Sequence, residues 1–178
     1  MLHRRQFAAS LPGLGVLALA AGQLTVSAQP APENEANAPA LPAIGALLRL
    51  PEVTLFDGNA VAPRQADGHV LVVYWWASWC PFCAEQNPYM EKLWQSQRSR
   101  GLQMLALSID RKRDDATQYL KKKGYTFPAG WVTPAIARAL PKPKGLPVTL
   151  VRGRDGTVLQ AEKGQLFPED VEQLARWL

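Results

Sequence analysis

Hydrophobic positions fall into short unbroken runs and helical stripes, punctuated by Gly, Pro and Asp. Val70 to Trp76 is apolar throughout and of strand length, the pattern of a central strand buried on both faces. Leu102 to Ile109 is a second β-type run, apolar but for Gln103 and Ser108. Between them Met90, Leu93 and Trp94 recur at helical spacing, predicting a helix that ends near Gly101 and is kinked at Pro88, which lacks a backbone donor. Two strands joined through a helix pair in parallel. Asp114-Asp115 open a further helix, running to Lys123 and stopped by Gly124.

The flanks are read in the same way. Upstream, Leu47 to Leu50 and Val53 to Phe56 predict short strands, with Asp57-Gly58 as a turn before Val61. Downstream, Phe127-Pro128 begins a loop or short strand, Pro134 to Leu140 a brief helix, and Pro141 to Gly145 a rigid connector. Val148 to Val151 and Thr157 to Ala161 flank Gly153-Arg154-Asp155-Gly156, a hairpin. Glu169 to Leu178 closes the chain as a helix with Val171, Leu174, Ala175 and Leu178 on one face. The order β-α-β-α-β-β-α predicts an α/β layer with one antiparallel hairpin and no repeats.

The first 28 residues change the picture of where the chain works. His3-Arg4-Arg5, an apolar stretch from Phe7 to Ala21 and the small residues Val26-Ser27-Ala28 form an export signal (1–28). Arg4-Arg5-Gln6-Phe7 resembles a twin-arginine motif, without its usual preceding Ser/Thr and following Leu. The apolar stretch is too short and too broken to serve as a membrane anchor. Residues 29–42, rich in Ala, Pro and Asn, predict a disordered linker, leaving 43–178 as one domain. The expected address is the periplasm. Of the formal charge of +5, Arg4 and Arg5 belong to the leader; the remaining +3 is too scattered to imply a nucleic-acid partner.

The candidate chemistry lies in Trp79-Cys80-Pro81-Phe82-Cys83, which holds both cysteines of the chain. A strand leads in and a helix leads out, so Cys80 meets the unpaired amides and dipole of a helix start, which stabilise a thiolate. Cys83 is one turn further on. Pro81 suits the first helical position, where a missing N–H costs nothing. Cys80 is then the nucleophile and Cys83 the thiol that resolves the mixed disulfide. No cofactor beyond this redox-active Cys80–Cys83 pair is expected. A zinc site would need more ligands than His69, and covalent haem attachment would need His where Ala84 stands. A purely structural disulfide would close so small a loop that it stabilises little.

With Trp75-Trp76-Ala77-Ser78-Trp79-Cys80, Pro88 five residues past the second cysteine, Gly145-Leu146-Pro147 before Val148-Thr149, and the Asp155-Gly156 hairpin, the chain resembles the thioredoxin fold. It is most similar to the TlpA/ResA-like branch of exported bacterial thioredoxins, within the AhpC/TSA-redoxin grouping. The resemblance spans Ile44 to Leu178. It implies a central mixed sheet flanked by helices with extra N-terminal strands, and a protein-disulfide oxidoreductase acting on thiols and disulfides of exported proteins. A reductase is favoured, serving apocytochrome c or a metallochaperone, monomeric and recharged by a membrane electron donor. It also implies a cis Pro147 facing the cysteines, a Leu146 backbone free to pair with substrate, and Trp79, Pro81 and Phe82 in the substrate-binding surface, Trp79 packed as a shield.

Two positions depart from the family pattern. Tyr74 stands where many relatives carry Asp or Asn, and Gln86 stands where TlpA/ResA-like proteins carry Glu. Glu85, beside it, would reach the resolving thiol only if the helix were rotated, so the proton acceptor stays unassigned. A non-catalytic binding or redox-sensing module, and a thiol oxidant, remain as alternative readings at this point.

Overall fold

The computed structural model describes residues 37–178. The predicted export signal, and the linker up to residue 36, lie outside them. Pro39 and Leu41, within the stretch expected to be linker, touch the domain. The Pro39 carbonyl accepts from the Lys144 amide at 3.3 Å, and Leu41 packs on the core.

Strand β3 (Leu71–Trp76) is buried along its whole length, as an apolar run without alternation requires. It is the middle strand of a five-stranded sheet. Helix α1 (Pro81–Gln97) crosses to β4 (Gln103–Ser108), which pairs with β3 in parallel, and a short 3₁₀ turn ends the helix at Gly101. Helix α2 (Arg113–Lys123) follows, ended by Gly124 in the left-handed region at φ +69°. Strand β5 (Ala129–Trp131) forms the parallel edge beyond β4, and α3 (Pro134–Ala139) starts on a Thr133 cap. Strands β6 (Val148–Arg152) and β7 (Val158–Lys163) form the predicted hairpin, β6 antiparallel to β3. Helix α4 (Pro168–Gln173) and a 3₁₀ turn to Trp177 complete the chain. The sheet order is β5-β4-β3-β6-β7.

The N-terminal strands are shorter than expected. β1 (Val53–Thr54) and β2 (Ala60–Val61) make a two-stranded ribbon around the Asp57-Gly58 turn. Leu47 to Leu50 is not a strand. It lies against the start of β7, where only Leu47 makes a bridge, to Thr157, so it lacks a partner long enough to build a ladder. Gly130 permits the close approach of β1 to β5; a Cβ there would meet Val53 Cγ1 at 2.7 Å and the Thr54 carbonyl at 3.0 Å. Helix α1 runs on through Pro88, which lies inside it.

The alternation along β3 divides the core in two. Val72, Tyr74 and Trp76 face a cluster with Cys80, Cys83, Met90, α2 and α4. Leu71, Val73 and Trp75 face a second cluster built with the N-terminal segment and α3.

Candidate active site

Helix α1 begins at the C-terminal end of β3, after the turn Ala77–Trp79. Cys80 is its N-cap: extended backbone (φ −82°, ψ 115°) and a sulfur that accepts the Cys83 amide at 3.2 Å. The short side chain thus fills the role that Ser or Asp plays at other helix starts. Both cysteines are free thiols. Cys80 retains 4% of its exposure and Cys83 none. Their settings push them apart. The hydrogen bond from the Cys83 thiol, aided by the Cys83 and Phe82 amides and opposed by burial, lowers Cys80 from its ordinary value to about 7. Burial, followed by the adjoining Cys80, pushes the Cys83 thiol far up. A thiolate at the helix start ahead of a protonated, fully buried partner is a division of labour suited to two-step exchange.

The turn before Cys80 is clamped by Asp110, which the sequence reading did not single out. Its carboxylate accepts from the Ser78 amide at 3.0 Å, the Ser78 hydroxyl at 2.6 Å and the Ser108 hydroxyl at 2.7 Å. Its own carbonyl takes the Trp131 indole N–H at 2.7 Å. The signal was present in the register: parallel pairing sets Ser108 beside Trp76, so Asp110, two residues on, lies level with Ser78.

The buried stripe of α1 is Cys83, Gln86, Asn87, Met90 and Leu93. Gln86 is a brace. It donates to Thr149 Oγ1 of β6 at 3.2 Å and accepts the Leu166 amide at 2.7 Å, joining the helix to β6 and to the β7–α4 loop. Glu85 points outward to Gln165, 2.8 Å away. Tyr74, on β3, is fully buried in the core cluster that holds Cys83 and donates to Asn87 Oδ1 at 2.8 Å; Asn87 in turn donates to Tyr119 Oη at 3.3 Å.

Around the sulfurs, Trp79 and Phe82 are 44% and 55% exposed. The Leu146–Pro147 bond is cis, and among the described residues the Leu146 backbone makes no hydrogen bond.

Comparison with known proteins agrees with this arrangement. The redoxin family profile matches residues 39–176. The chain belongs to the redoxin family. Thiol-disulfide oxidoreductase ResA of Bacillus thuringiensis is 26% identical over 126 residues, which cover 68% of this chain and 70% of the relative. ResA of Geobacillus kaustophilus is 25% identical over 69% of this chain and 72% of its own. A thioredoxin-family thiol:disulfide interchange protein from Chlorobium tepidum superposes with a TM-score of 0.66 at 22% identity, over 75% of this chain and 97% of its own, which establishes the thioredoxin fold. This redoxin is a thiol–disulfide oxidoreductase of the ResA type.

Proposed function

We propose that this redoxin is an exported, periplasmic reductase of protein disulfides that works through the Cys80-Pro81-Phe82-Cys83 pair. The observation that carries the reading is the Cys80 sulfur held as a helix cap by the Cys83 amide, with Cys83 sealed directly behind it.

The Cys80 thiolate attacks one sulfur of a partner disulfide. The partner's S–S bond breaks, its other sulfur leaves and takes a proton, and a Cys80–partner disulfide forms. Cys83 then loses its proton and attacks Cys80. The mixed disulfide breaks, the partner leaves fully reduced, and Cys80–Cys83 is the new disulfide. The partner is held by exposed Trp79 and Phe82 and by an extended segment pairing with the Leu146 backbone beside Pro147. Exported proteins that must be reduced before receiving haem or metal are fitting partners, and a membrane thiol donor returns the pair to the reduced state. The direction is supported by the absence of a cation in Pro81-Phe82, which leaves the thiolate stabilised by hydrogen bonds alone.

Insulin reduction tests the reading. Wild type turns over, Cys80→Ser does not, and Cys83→Ser accumulates a covalent adduct with insulin; unchanged turnover in both variants rejects it. A reduction potential near about −270 mV fits a reductase, and one near about −120 mV overturns the direction.

A further inference from the structure

Three lysines gather around the loop that leads into Pro147. Its approach, Pro141-Lys142-Pro143-Lys144-Gly145, is stiffened by two prolines with fixed φ. The Lys142 ammonium donates to the Pro143 carbonyl at 2.7 Å and to the Gly145 carbonyl at 2.9 Å. One positive charge is thereby held on the peptide that joins Gly145 to Leu146. Lys144 is exposed, and its amide is tied to the Pro39 carbonyl at 3.3 Å. Lys163 ends β7 opposite Val148, and the next amide, Gly164, donates to the Pro147 carbonyl at 2.9 Å. The Lys163 stem lies over Gly145, where an added Cβ would sit 3.4 Å from its Cγ and Cδ. Cations from two segments thus converge on one loop.

Among the described residues no carboxylate forms an ion pair with Lys144 or Lys163. Two carboxylates on flanking elements are turned elsewhere. Alternation along β7 puts Glu162 on the opposite face of the sheet from Lys163, opposite Thr149, where Gln160 donates to it at 3.1 Å. Glu85, on α1, takes Gln165 at 2.8 Å. The lysines have no part in lowering Cys80 either, which Cys83 and Phe82 do between them. Their field therefore bears on whatever arrives at Leu146, within a screening length of about 10 Å at about 0.1 M salt.

We propose that Lys144 and Lys163, with Lys142 behind them, select partners that carry acidic residues beside the disulfide to be reduced. An extended partner segment pairs with the Leu146 backbone and advances about 3.3 Å per residue, so the neighbours of its cysteine lie within reach of the lysine stems. Glu or Asp there meets the charges that Lys144 and Lys163 leave open, and Lys or Arg there is repelled. Exposed Trp79 and Phe82 take the apolar part of the same segment. This rests on the exchange reading above and adds a partner class to it, an exported protein with an acid-flanked disulfide.

Two disulfide-linked peptides test it, identical except that one carries Glu and the other Lys on both sides of the cysteine. Reduced protein is mixed with each, and its rate constant is divided by that of dithiothreitol, which removes the intrinsic effect of flanking charge. Wild type should then favour the Glu peptide about tenfold, in the concentration that half-saturates the rate and not in the limiting rate. The preference should shrink in about 0.5 M salt. Lys144→Gln/Lys163→Gln should abolish it and Lys144→Glu/Lys163→Glu should reverse it, while neutral iodoacetamide still alkylates Cys80 at the wild-type rate. Equal handling of both peptides by wild type overturns the proposal, as does an equal loss for both in the variants or a preference indifferent to salt. Binding to phosphatidylglycerol vesicles that the variants lose, with no peptide preference, assigns the lysines to a lipid surface and overturns it too. If wild type reduces neither peptide, the exchange reading itself has failed and the partner class falls with it.

Discussion

Cys80 titrates near neutrality through hydrogen bonds that one other residue largely provides. The Cys83 thiol and amide both point at its sulfur, and the Phe82 amide adds to them. The rate of Cys80 alkylation by iodoacetamide follows the thiolate fraction, so it should rise through pH of about 7 and level off above it. In Cys83→Ala the thiol donor is gone and only the amides remain, so the midpoint should move up toward the ordinary thiol value of about 8.5. A midpoint that stays put would assign the thiolate to the helix end alone. The same titration bears on stability. Cys80 has its pKa depressed by folding, so the reduced protein should gain stability as pH rises from about 7 to the unfolded thiol value, and lose it as pH falls through about 7. Thermal unfolding of the reduced form across that window reads this directly.

Among the elements, the turn between β3 and α1 depends on β4 for its shape. Asp110→Ala would strand the Ser78 amide and leave the Ser78 and Ser108 hydroxyls to find other acceptors. The expected loss is about 1–3 kcal/mol in denaturant unfolding, with slower alkylation of Cys80, because the cap that presents its sulfur loosens. Full stability in that variant would remove the clamp from the account. β3 and β4 were readable from the chain because burial on both faces leaves an apolar run with no competing period. The hairpin was readable from its Asp-Gly turn, and the cysteines from their spacing between strand and helix. Leu47 to Leu50 resembles a strand because Leu48 and Leu50 pack on the core, and composition does not reveal that a ladder partner is missing. Asp110 escaped because its role follows from the parallel register, which joins residues 32 apart in the chain. Gln86 and Asn87 look like a solvated face by polarity. Only their spacing from Cys83, Met90 and Leu93 places them inward.

Across the whole molecule, Arg152 joins the N-terminal segment to the sheet. Its buried guanidinium donates to the Leu48 carbonyl at 3.1 Å, the Ala66 carbonyl at 3.1 Å and Asp67 Oδ1 at 2.6 Å. Arg152→Met keeps most of the apolar stem but leaves those carbonyls unpaired, and should cost about 2–3 kcal/mol in chemical denaturation. Retained stability would show that the segment is held by its leucines alone. Asp67 is held below the usual carboxylate range by Arg152 and then Arg64, so its contribution is present at neutral pH and fades as acid protonates it.

The division of the core by β3 has an engineering consequence. One side of the strand carries the sulfurs, Tyr74 and the helix that serves them, while the other side is filled by aliphatic residues, Trp75 and the N-terminal segment. Stabilising substitutions made in that second layer should raise the melting temperature of the protein without altering its redox behaviour. The scaffold can be tuned from behind, with the chemistry insulated by the thickness of a sheet.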